Sequence, residues 1–546
     1  MKNLLILPLL LISLHAAAQA PYVIDSVYRP GDSAALPQYL CSANGKVFFS
    51  GGNHYGRKQL FASDGTIAGT AKVKDIYPNS YCLPSLLTEL NGKVLFSAIT
   101  DSPYNYELWI TDGTSAGTNM VKDIVPGAKG SYPKDLIKVG SKIYFTANDG
   151  INGTELWITD GTNAGTKMVK DITPGGASTT FSGFKSFGGK LYFSTGDFWV
   201  SDGTTAGTQK IRSNFTSVTN HAEYKGKMYF VANDGTHGNE LWCSDGTTAG
   251  TTIVKDIFPD TNFGAKPCVP VVFKNELYFA ADDSVHGSEM WKTDGTAAGT
   301  TMLKDIVPGI NSGILVLPNT ATLHMTEIAV VNNKLIFASR NIANNYELWS
   351  SDGTTAGTNQ IVTMNPTGYF SPRNFFVYKN RMLFLGNVGG NVDVYSTDGT
   401  APGTFKLSPP GLTTFPTLGN MNLFGGYVLH SDGAVYLNAS FTSNYDELWR
   451  IKDTSAALSV NKTETNTNSS TIYPNPSDGI FTLQLENTNF QHGCITVYDV
   501  TGKLVYLQKE IPQTPIHNVK IDAPKGIYLL KLQLDDTIQT KQIVIE

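Results

Sequence analysis

The repeated stretch ELWITDGT, found at Glu107–Thr114 and again at Glu155–Thr162, decides the fold. Both copies continue into AGT and then MVKDI. Related DGT units begin at eight aspartates: Asp64, Asp112, Asp160, Asp202, Asp245, Asp294, Asp352 and Asp398. A degenerate ninth copy, ELWRIKDT, lies at Glu447–Thr454. Successive aspartates are 42 to 58 residues apart, a spacing typical of solenoids, repeat arrays and propellers.

One repeat unit, residues 135–172, shows the secondary structure that we predict for all of them. Short strands are expected at Asp135–Val139, Ile143–Thr146, Glu155–Thr159 and Lys167–Ile172, where β-branched and aromatic residues are bounded by turn residues. No segment of the unit has the helical 3.6-residue period. Four short strands in a unit of about 40–50 residues are typical of one blade of a β-propeller.

The two ends of the repeat region predict how a ring would close. The ninth unit has no VKDI strand after it, whereas Val23–Gly31 near the N-terminus resembles VKDIVPG at Val121–Gly127. We therefore expect this N-terminal strand to complete the last blade beside Glu447–Ile451, which removes exposed sheet edges. The predicted fold is all-β: a large β-propeller of about eight to nine four-stranded blades, followed by a small β-sandwich. Propellers usually have about 4–8 blades. Either this ring is unusually large or one unit is displaced, and the insertion Gly309–Thr326 is a place where that could occur.

The tryptophans follow the repeat. All seven occupy the ELW position: Trp109, Trp157, Trp199, Trp242, Trp291, Trp349 and Trp449. Phe61 and Tyr395 stand there in the other two units. A residue that recurs once per unit serves the unit, so we expect these large rings to pack between neighbouring blades rather than to form a ligand platform.

The DGT element predicts a hairpin turn, because glycine adopts positive φ without strain and aspartate accepts hydrogen bonds from backbone N–H groups that follow it. If Thr111 pairs with Thr118, antiparallel counting sets Glu107 opposite Lys122 as an opposite-charge cross-strand pair. The same count predicts three further pairs: Glu155–Lys170, Glu240–Lys255 and Glu289–Lys304.

The first residues, MKNLLILPLLLISLHAAAQA, predict a signal peptide over residues 1–18. Lys2 precedes the apolar run Leu4–Leu14, which is too short to span a bilayer, and small residues place the cleavage site after Ala18. No later run is long and apolar enough to cross a membrane, so we expect no transmembrane segment in the mature chain.

Composition limits the partners and the covalent chemistry. The formal net charge is −5 and no basic tract is present, which argues against a nucleic-acid partner. The five cysteines are too few and too scattered for a disulfide scaffold, so buried thiols are favoured, while a single disulfide stays open. No cysteine or histidine spacing suggests zinc.

After Thr454 the character of the chain changes. Residues 455–470 are polar and aperiodic, which indicates a linker. Residues 471–546 have alternating apolar residues and turn pairs, which predict a small β-sandwich. This tail resembles the C-terminal sorting domain of the type IX secretion system, found in the phylum Bacteroidota. The residues that carry the resemblance are Pro474, Asn475, Pro476, Gly479, Phe481, Gly502, Gly526 and Lys541.

The resemblance of the tail implies export through the periplasm and across the outer membrane, with the type IX machinery as a partner and a final place on the cell surface or outside the cell. Residues 19–454 resemble the bacterial ELWxxDGT-repeat proteins. That second resemblance implies an extracellular repeat protein with no assigned chemistry.

The sequence predicts no catalytic residue, and we expect no resident cofactor. No HExxH motif, P-loop or nucleophile elbow is present. Asp149, Asp234 and Asp283 lie in polar loops and offer oxygen ligands of the kind that calcium takes, but the loops lack a full ligand set, so turn formation is favoured. His237 and His286 occupy equivalent loop positions, which favours surface residues over a metal site.

These observations favour a secreted or cell-surface propeller that binds an extracellular glycan or protein through its variable loops. The alternative is a polysaccharide-active hydrolase or lyase with its site at the channel mouth. The sequence leaves catalysis open and favours the non-enzymatic hypothesis.

Overall fold

The computed structural model describes most of the chain. The described residues are 22–28, 37–52, 58–78, 80–101, 105–127, 129–260, 264–314, 328–340, 345–364, 370, 372–388, 391–407, 427–429, 432–439, 447–453, 470–485, 488, 490–499, 504–535 and 537–545. The predicted signal peptide, residues 1–18, and nearly all of the predicted linker lie outside these ranges. The chain divides into two compact units, Met1–Lys452 and Asp453–Glu546.

The first unit is all-β and propeller-like. Its described residues form nine four-stranded sheets and no helix. Sheet 1 has β2 (Gln38–Ala43), β3 (Lys46–Gly51), β4 (Gln59–Ser63) and β5 (Ala71–Lys72). Sheet 2 has β6 (Ser85–Leu90), β7 (Lys93–Ile99), β8 (Tyr106–Thr111) and β9 (Asn119–Lys122). Sheet 3 has β10 (Lys134–Val139), β11 (Lys142–Asn148), β12 (Thr154–Thr159) and β13 (Lys167–Lys170). Sheet 4 has β14 (Ser182–Phe187), β15 (Lys190–Ser194), β16 (Phe198–Ser201) and β17 (Gln209–Arg212).

The later sheets of the first unit repeat this pattern. Sheet 5 has β18 (Thr216–Tyr224), β19 (Lys227–Asn233), β20 (Asn239–Ser244) and β21 (Thr252–Lys255). Sheet 6 has β22 (Cys268–Phe273), β23 (Glu276–Asp282), β24 (Ser288–Thr293) and β25 (Thr301–Lys304). Sheet 7 has β26 (Ile328–Val331), β27 (Lys334–Arg340), β28 (Tyr346–Ser351) and β29 (Asn359–Val362). Sheet 8 has β30 (Arg373–Tyr378), β31 (Arg381–Val388), β32 (Asn391–Thr397) and β33 (Phe405–Lys406). Sheet 9 has β34 (Tyr427–Leu429), β35 (Val435–Ala439), β36 (Glu447–Asp453) and β1 (Tyr22–Tyr28), with β1 beside β36.

The strand order gives each of sheets 1–8 two distinct ends. Strands follow one another across the sheet in chain order, and antiparallel neighbours reverse direction at every step. The first-to-second turn and the DGT loop therefore share one end, which we call the turn face. The second-to-third loop and the crossover to the next sheet share the other end, which we call the loop face.

Successive sheets are joined by apolar clusters, each of which combines residues of two sheets. Phe48 and Leu60 of sheet 1 pack with Phe96 and Trp109 of sheet 2, for example. The first strands of successive sheets also contact one another, as β2 does with β6 and β6 with β10. First strands therefore lie on the inner side of the first unit, where sheets approach most closely.

The DGT loop has a local physical cause. In the sheet 2 copy, the Asp112 carboxylate accepts hydrogen bonds from the Thr114 backbone N–H at 2.8 Å and the Thr114 hydroxyl at 2.7 Å. Gly113 has a φ of 89°. A methyl group at Gly117 would overlap the Asp112 carboxylate, so the second glycine is required as well. The Thr111 and Thr118 hydroxyls lie 2.7 Å apart across the hairpin, as the assumed pairing requires.

The predicted Glu–Lys pairs are wrong. A bulge in the hairpin sets Trp109 opposite Met120 but Lys122 opposite Leu108, so Lys122 does not face Glu107. The Lys122 ammonium instead donates to the Thr166 carbonyl of sheet 3 at 2.9 Å. Equivalent bonds to the next sheet are Lys74–Thr118, Lys170–Thr208, Lys255–Thr300 and Lys304–Thr358. The repeated lysine therefore connects neighbouring sheets.

The second unit has the sandwich architecture that the tail sequence predicts. One sheet has β37 (Ser470–Tyr473), β38 (Ile480–Leu485) and β41 (Ile516–Lys520), and the other has β39 (Gly493–Asp499), β40 (Leu504–Gln508), β42 (Gly526–Leu534) and β43 (Thr537–Ile545). Both sheets contribute to one apolar core that includes Phe481, Val497 and Leu530.

Two further structural findings bear on chemistry and location. None of the five cysteines, all of which lie in the described ranges, forms a disulfide, and burial raises the pKa of Cys41 and of Cys82 to about 12. Within the described ranges, no helical segment has the length and apolar character of a membrane span.

Candidate functional site at the loop face of sheets 1 to 3

A cavity of about 360 Å³ opens at the loop face where the first strands of sheets 1, 2 and 3 begin. This volume lies within the range of about 300–1,000 Å³ typical of small-ligand sites. The residues that line the cavity are Tyr39, Ser85, Leu86, Ser97, Tyr106, Tyr132, Pro133, Lys134 and Asp135. Three tyrosines, two hydroxyls and one charge of each sign therefore converge on one space.

The floor of the cavity is formed at the start of the first strands of sheets 1, 2 and 3, by Tyr39, Ser85, Leu86, Lys134 and Asp135. The backbone has the same kink in all three strands, whereas the side chains differ. The first strand of each of the three sheets makes one pair, then bulges; the pairs are Gln38–Ser50, Ser85–Ser97 and Lys134–Thr146. The residue after each pair has positive φ: 55° at Tyr39, 59° at Leu86 and 55° at Asp135. Non-glycine residues rarely adopt this conformation, and bulges re-aim side chains next to functional sites. The three units therefore share the backbone kink but place different side chains at it: Tyr39, Leu86 and Asp135.

The wall of the cavity is an aromatic pair. The Tyr106 and Tyr132 ring centroids lie 5.6 Å apart with an interplanar angle of 34°. The Tyr132 backbone N–H donates to the Tyr106 carbonyl at 3.1 Å, which ties the crossover to β8. Tyr132 remains 42% exposed. Burial and the neighbouring Tyr132 raise the pKa of Tyr106, so its phenol stays neutral in ordinary media.

The repeated glutamate of ELW holds the crossover that carries Tyr132. The fully buried Glu107 carboxylate accepts hydrogen bonds from the Ser131 N–H at 2.9 Å, the Ser131 hydroxyl at 2.6 Å and the Ile124 N–H at 3.3 Å. Burial raises the pKa of Glu107, although these hydrogen bonds act in the opposite direction. Glu107 is therefore a positioning residue, since it fixes the residue immediately before Tyr132.

Glutamates at the same position hold the crossovers of other sheets. Glu240 accepts from the Phe258 and Ala265 N–H groups, both at 3.0 Å, and Glu289 accepts from the Gly313 N–H at 2.9 Å. In sheet 1 the position is Gln59, whose side-chain amide donates to the Ser80 carbonyl at 2.8 Å. One repeat position thus fixes the loop-face connection in several sheets, which explains why it recurs.

The predicted tryptophans lie away from the cavity. Five of them are at least nine-tenths buried: Trp109, Trp157, Trp242, Trp291 and Trp449. Trp199 and Trp349 are partly buried against clusters that also contain residues of the preceding sheet. The Lys170 ammonium lies 5.6 Å from the Trp199 ring centroid, and Lys304 lies 5.9 Å from that of Trp349. The lysines that connect sheets therefore also cover these rings.

The aspartates considered as calcium ligands form local turns. Asp149 accepts from the Ile151 and Asn152 N–H groups at 2.9 and 2.7 Å. Burial would raise the pKa of Asp234, but hydrogen bonds from Thr236 and His237 outweigh it and lower that pKa to about 2. No cluster of three or more histidine, cysteine or acidic side chains arranged to hold a metal is found in the described part of the chain.

Asp283 and the two loop histidines follow the same pattern. The Asp283 carboxylate lies 2.8 Å from His286 Nδ1, and this hydrogen bond raises the pKa of His286. His237 Nδ1 lies 3.0 Å from the equivalent Asp234. Each histidine therefore pairs with the aspartate of its own loop.

One sequence pattern matches the GxSxG motif of serine hydrolases, but the structure does not form a nucleophile elbow there. Gly113–Gly117 reads GTSAG, which fits GxSxG, but these residues form the loop between β8 and β9. A nucleophile elbow needs a strand-to-helix turn. Ser115 is therefore a hairpin residue.

The sorting-motif residues of the second unit organise its C-terminal strand. The Asn475 side-chain oxygen accepts from the Val544 N–H at 2.8 Å, next to Pro474 and Pro476. Lys541 lies opposite Leu530 in the β42–β43 pair. The segment at the start of the domain is thus joined to the strand at its end.

Three more residues of this motif have local roles, and one cannot be described. Gly479 has a φ of 94°, and a Cβ there would lie 2.7 Å from the Ile521 carbonyl. Phe481 is 1% exposed in the core. Gly526 begins β42, opposite Ile545. Gly502 lies outside the described residues.

Comparison with known proteins identifies the second unit. Residues 471–546 match the family described as secretion system C-terminal sorting domain. This tail is therefore a type IX sorting domain, which implies export to the cell surface or the medium and contact with the type IX machinery. No curated protein sequence matches the chain.

Solved structures that resemble the chain include three peptidases, at low identity. A Mycobacterium tuberculosis puromycin-hydrolyzing peptidase aligns at 11% identity with a TM-score of 0.39, and the alignment covers 76% of this chain and 61% of the peptidase chain. A structure from an analysis of two prolyl endopeptidases aligns at 10% identity and 0.34, over 75% and 55%. Leishmania major oligopeptidase B aligns at 11% and 0.34, over 66% and 53%. These values are too low to relate the chain to peptidase activity.

Sequence reasoning missed the cavity. Its residues are spread over three repeat units, and most of them stand where the units differ, although Pro133 has counterparts in Pro37 and Pro84. The available signal was the departure of Tyr39 and Tyr132 from the residues at equivalent places in other units, whereas Tyr106 has a counterpart in Tyr346.

Proposed function

We propose that this chain is a secreted or cell-surface binding protein, with residues 1–18 as its signal peptide and residues 19–454 as an ELWxxDGT-repeat domain. In this proposal the repeat domain is a closed nine-bladed propeller that recognises an extracellular glycan or protein through the cavity at its loop face. The sorting domain supports the location. The cavity, with its exposed aromatic pair, is the single observation that supports binding there.

Ring closure is supported by contacts between sheets 9 and 1 that follow the pattern of other neighbours. Val27 and Tyr436 of sheet 9 pack with Val47 and Phe49 of sheet 1. A methyl group at Gly65 of the first DGT loop would overlap the Tyr436 hydroxyl. Glycines of four other DGT loops meet a tyrosine of the preceding sheet in the same way: Gly203, Gly246, Gly295 and Gly353.

Binding is better supported than turnover by the groups that line the cavity. Asp135 is the one carboxylate among the lining residues, whereas glycoside hydrolysis generally uses a pair of carboxylates. A glycoside hydrolase of this kind would need a second acidic group that this lining does not supply. The hypothesis of a polysaccharide-active enzyme therefore stays the alternative.

The test is a screen of the mature full-length chain against extracellular polysaccharides and proteins, scored for both retention and product release. Retention without release is expected. Turnover of any substrate would overturn the non-enzymatic proposal. In cells, a chain truncated before Thr471 should stay inside the outer membrane, and its normal appearance outside would contradict the assigned route.

A further inference from the structure

We infer that the cavity is a saccharide subsite, in which one pyranose ring of a neutral polysaccharide packs on Tyr132 while its hydroxyls bind the polar groups of the floor. This inference rests on the proposed binding function and names the ligand class for the same site. It follows from the mixture of aromatic and polar groups, from the kinked strands around the cavity, and from its charge balance.

The aromatic wall suits the apolar face of a sugar ring. A pyranose presents C–H groups on its faces, and the π face of an aromatic ring carries partial negative charge that attracts such positive edges. Tyr132 is exposed enough to be covered, and the tilted Tyr106 ring behind it limits its movement. Leu86 and Pro133 extend the apolar surface. An exposed ring supported in this way is a preformed stacking platform.

The polar groups suit the hydroxyl edge of the same ring. Ser85 offers a hydroxyl that both donates and accepts, Asp135 accepts and Lys134 donates, whereas the lining residue Ser97 is buried. The Asp135 carboxylate is oriented by the Thr146 hydroxyl, which donates to it at 3.1 Å. Sugar hydroxyls need both donors and acceptors, and this set supplies both within one cavity.

The strands around the cavity argue against an extended peptide as the ligand. A peptide that adds to a sheet needs a regular edge ladder. β2, β6 and β10 each begin with a bulge and a residue of positive φ, and a bulge disrupts the ladder locally. A saccharide needs no such ladder.

The charge of the site indicates a neutral saccharide. Lys134 and Asp135 are adjacent and of opposite sign, so their fields largely cancel beyond the cavity. We therefore expect binding that depends little on salt. A strongly acidic polymer would require an excess of cations, which the lining does not provide.

The experiment is affinity electrophoresis of the mature full-length chain in gels that contain laminarin, xylan, glucomannan, galactomannan, alginate or pectin. We expect at least one neutral polysaccharide to retard the wild type. Tyr132→Ala should weaken that binding about tenfold or more, as truncation of an aromatic anchor does, and Tyr132→Phe should retain most of it. Tyr132→Gly is the second test variant, because glycine adopts the φ of 50° found there without strain.

The matched control is Ile151→Ala, since Ile151 is 76% exposed, lies in the loop between β11 and β12, and does not line the cavity. It should bind as the wild type does. Equal binding by Tyr132→Ala and the wild type would overturn the subsite but leave a binding function. Retention of proteins alone would overturn the saccharide class only, and the absence of any retained ligand would overturn both proposals.

Discussion

Replacing Glu107 with alanine should uncouple the Tyr132 crossover from sheet 2. The carboxylate accepts hydrogen bonds from two backbone N–H groups and one hydroxyl, and the variant removes the acceptor of the Ser131 and Ile124 N–H groups. Each buried N–H left unsatisfied costs about 1–3 kcal/mol. Part of this is recovered, because the buried carboxylate no longer has to be desolvated. We expect a net loss of about 2–4 kcal/mol in the free energy of unfolding.

The matched control is Glu89→Ala in the same sheet. Glu89 pairs with Lys138 at 2.5 Å, with both side chains about one-third or more exposed, and also accepts from the Gly92 N–H of the adjoining turn at 2.8 Å. An ion pair of this kind contributes about 0–1 kcal/mol. The assay is urea denaturation followed by tryptophan fluorescence, with ligand retention measured beside it. Equal stability of the two variants would refute the assigned role of the ELW glutamate.

Three further predictions use the repeat itself. Burial raises the pKa of Glu240 and of Glu289 to about 7, so folding favours their protonated forms. The contribution of these two groups to stability should be complete below about pH 4.5 and be lost as the pH rises through 7, so a Glu240→Gln, Glu289→Gln variant should lose less melting temperature than the wild type between those two pH values. Lys122→Met removes the bond to the Thr166 carbonyl and should cost about 0.5–1.5 kcal/mol, whereas Lys167→Met at an exposed position should cost less than half of that; equal losses in urea denaturation would contradict the inter-sheet role. Gly117→Ala should cost about 1–3 kcal/mol, because its methyl group would overlap the Asp112 carboxylate, while Gly176→Ala, whose nearest neighbour would be the Ile151 carbonyl at 3.6 Å, should be nearly neutral by calorimetry.

The strand pattern could be predicted because it is local. In residues 135–172, every predicted strand is present. The β-branched and aromatic residues that mark the strands are mostly buried, and turns separate one strand from the next. The pairing of Thr111 with Thr118 follows from the length of the DGT loop alone. Such features depend on a few neighbouring residues, which the sequence displays together.

The prediction of a Glu107–Lys122 pair was wrong because one inserted residue changes which side chains face each other. The bulge between Trp109 and Leu108 has no marker in the letters of the repeat. Lys122 then reaches a carbonyl in the next sheet, a contact between units that counting within a hairpin does not include.

The cavity could not be predicted for a similar reason. Tyr39, Tyr106 and Tyr132 belong to three different segments, and their convergence needs the positive-φ kinks and the contacts between sheets. The sequence does indicate where to look, since these positions vary while ELW and DGT recur. Glu107, which recurs in the repeat, fixes the crossover through Ser131. Tyr106 and Tyr132, which adjoin Glu107 and Ser131 in sequence, form the wall of the site.

The most direct test of the binding site is hydrogen–deuterium exchange of the mature chain with and without a ligand retained in the screen. We predict slower exchange in residues 131–135 and around Tyr39 and Leu86, with no change in the equivalent crossover at residues 176–184. Protection confined to other segments, with residues 131–135 unchanged, would contradict the placement of the site.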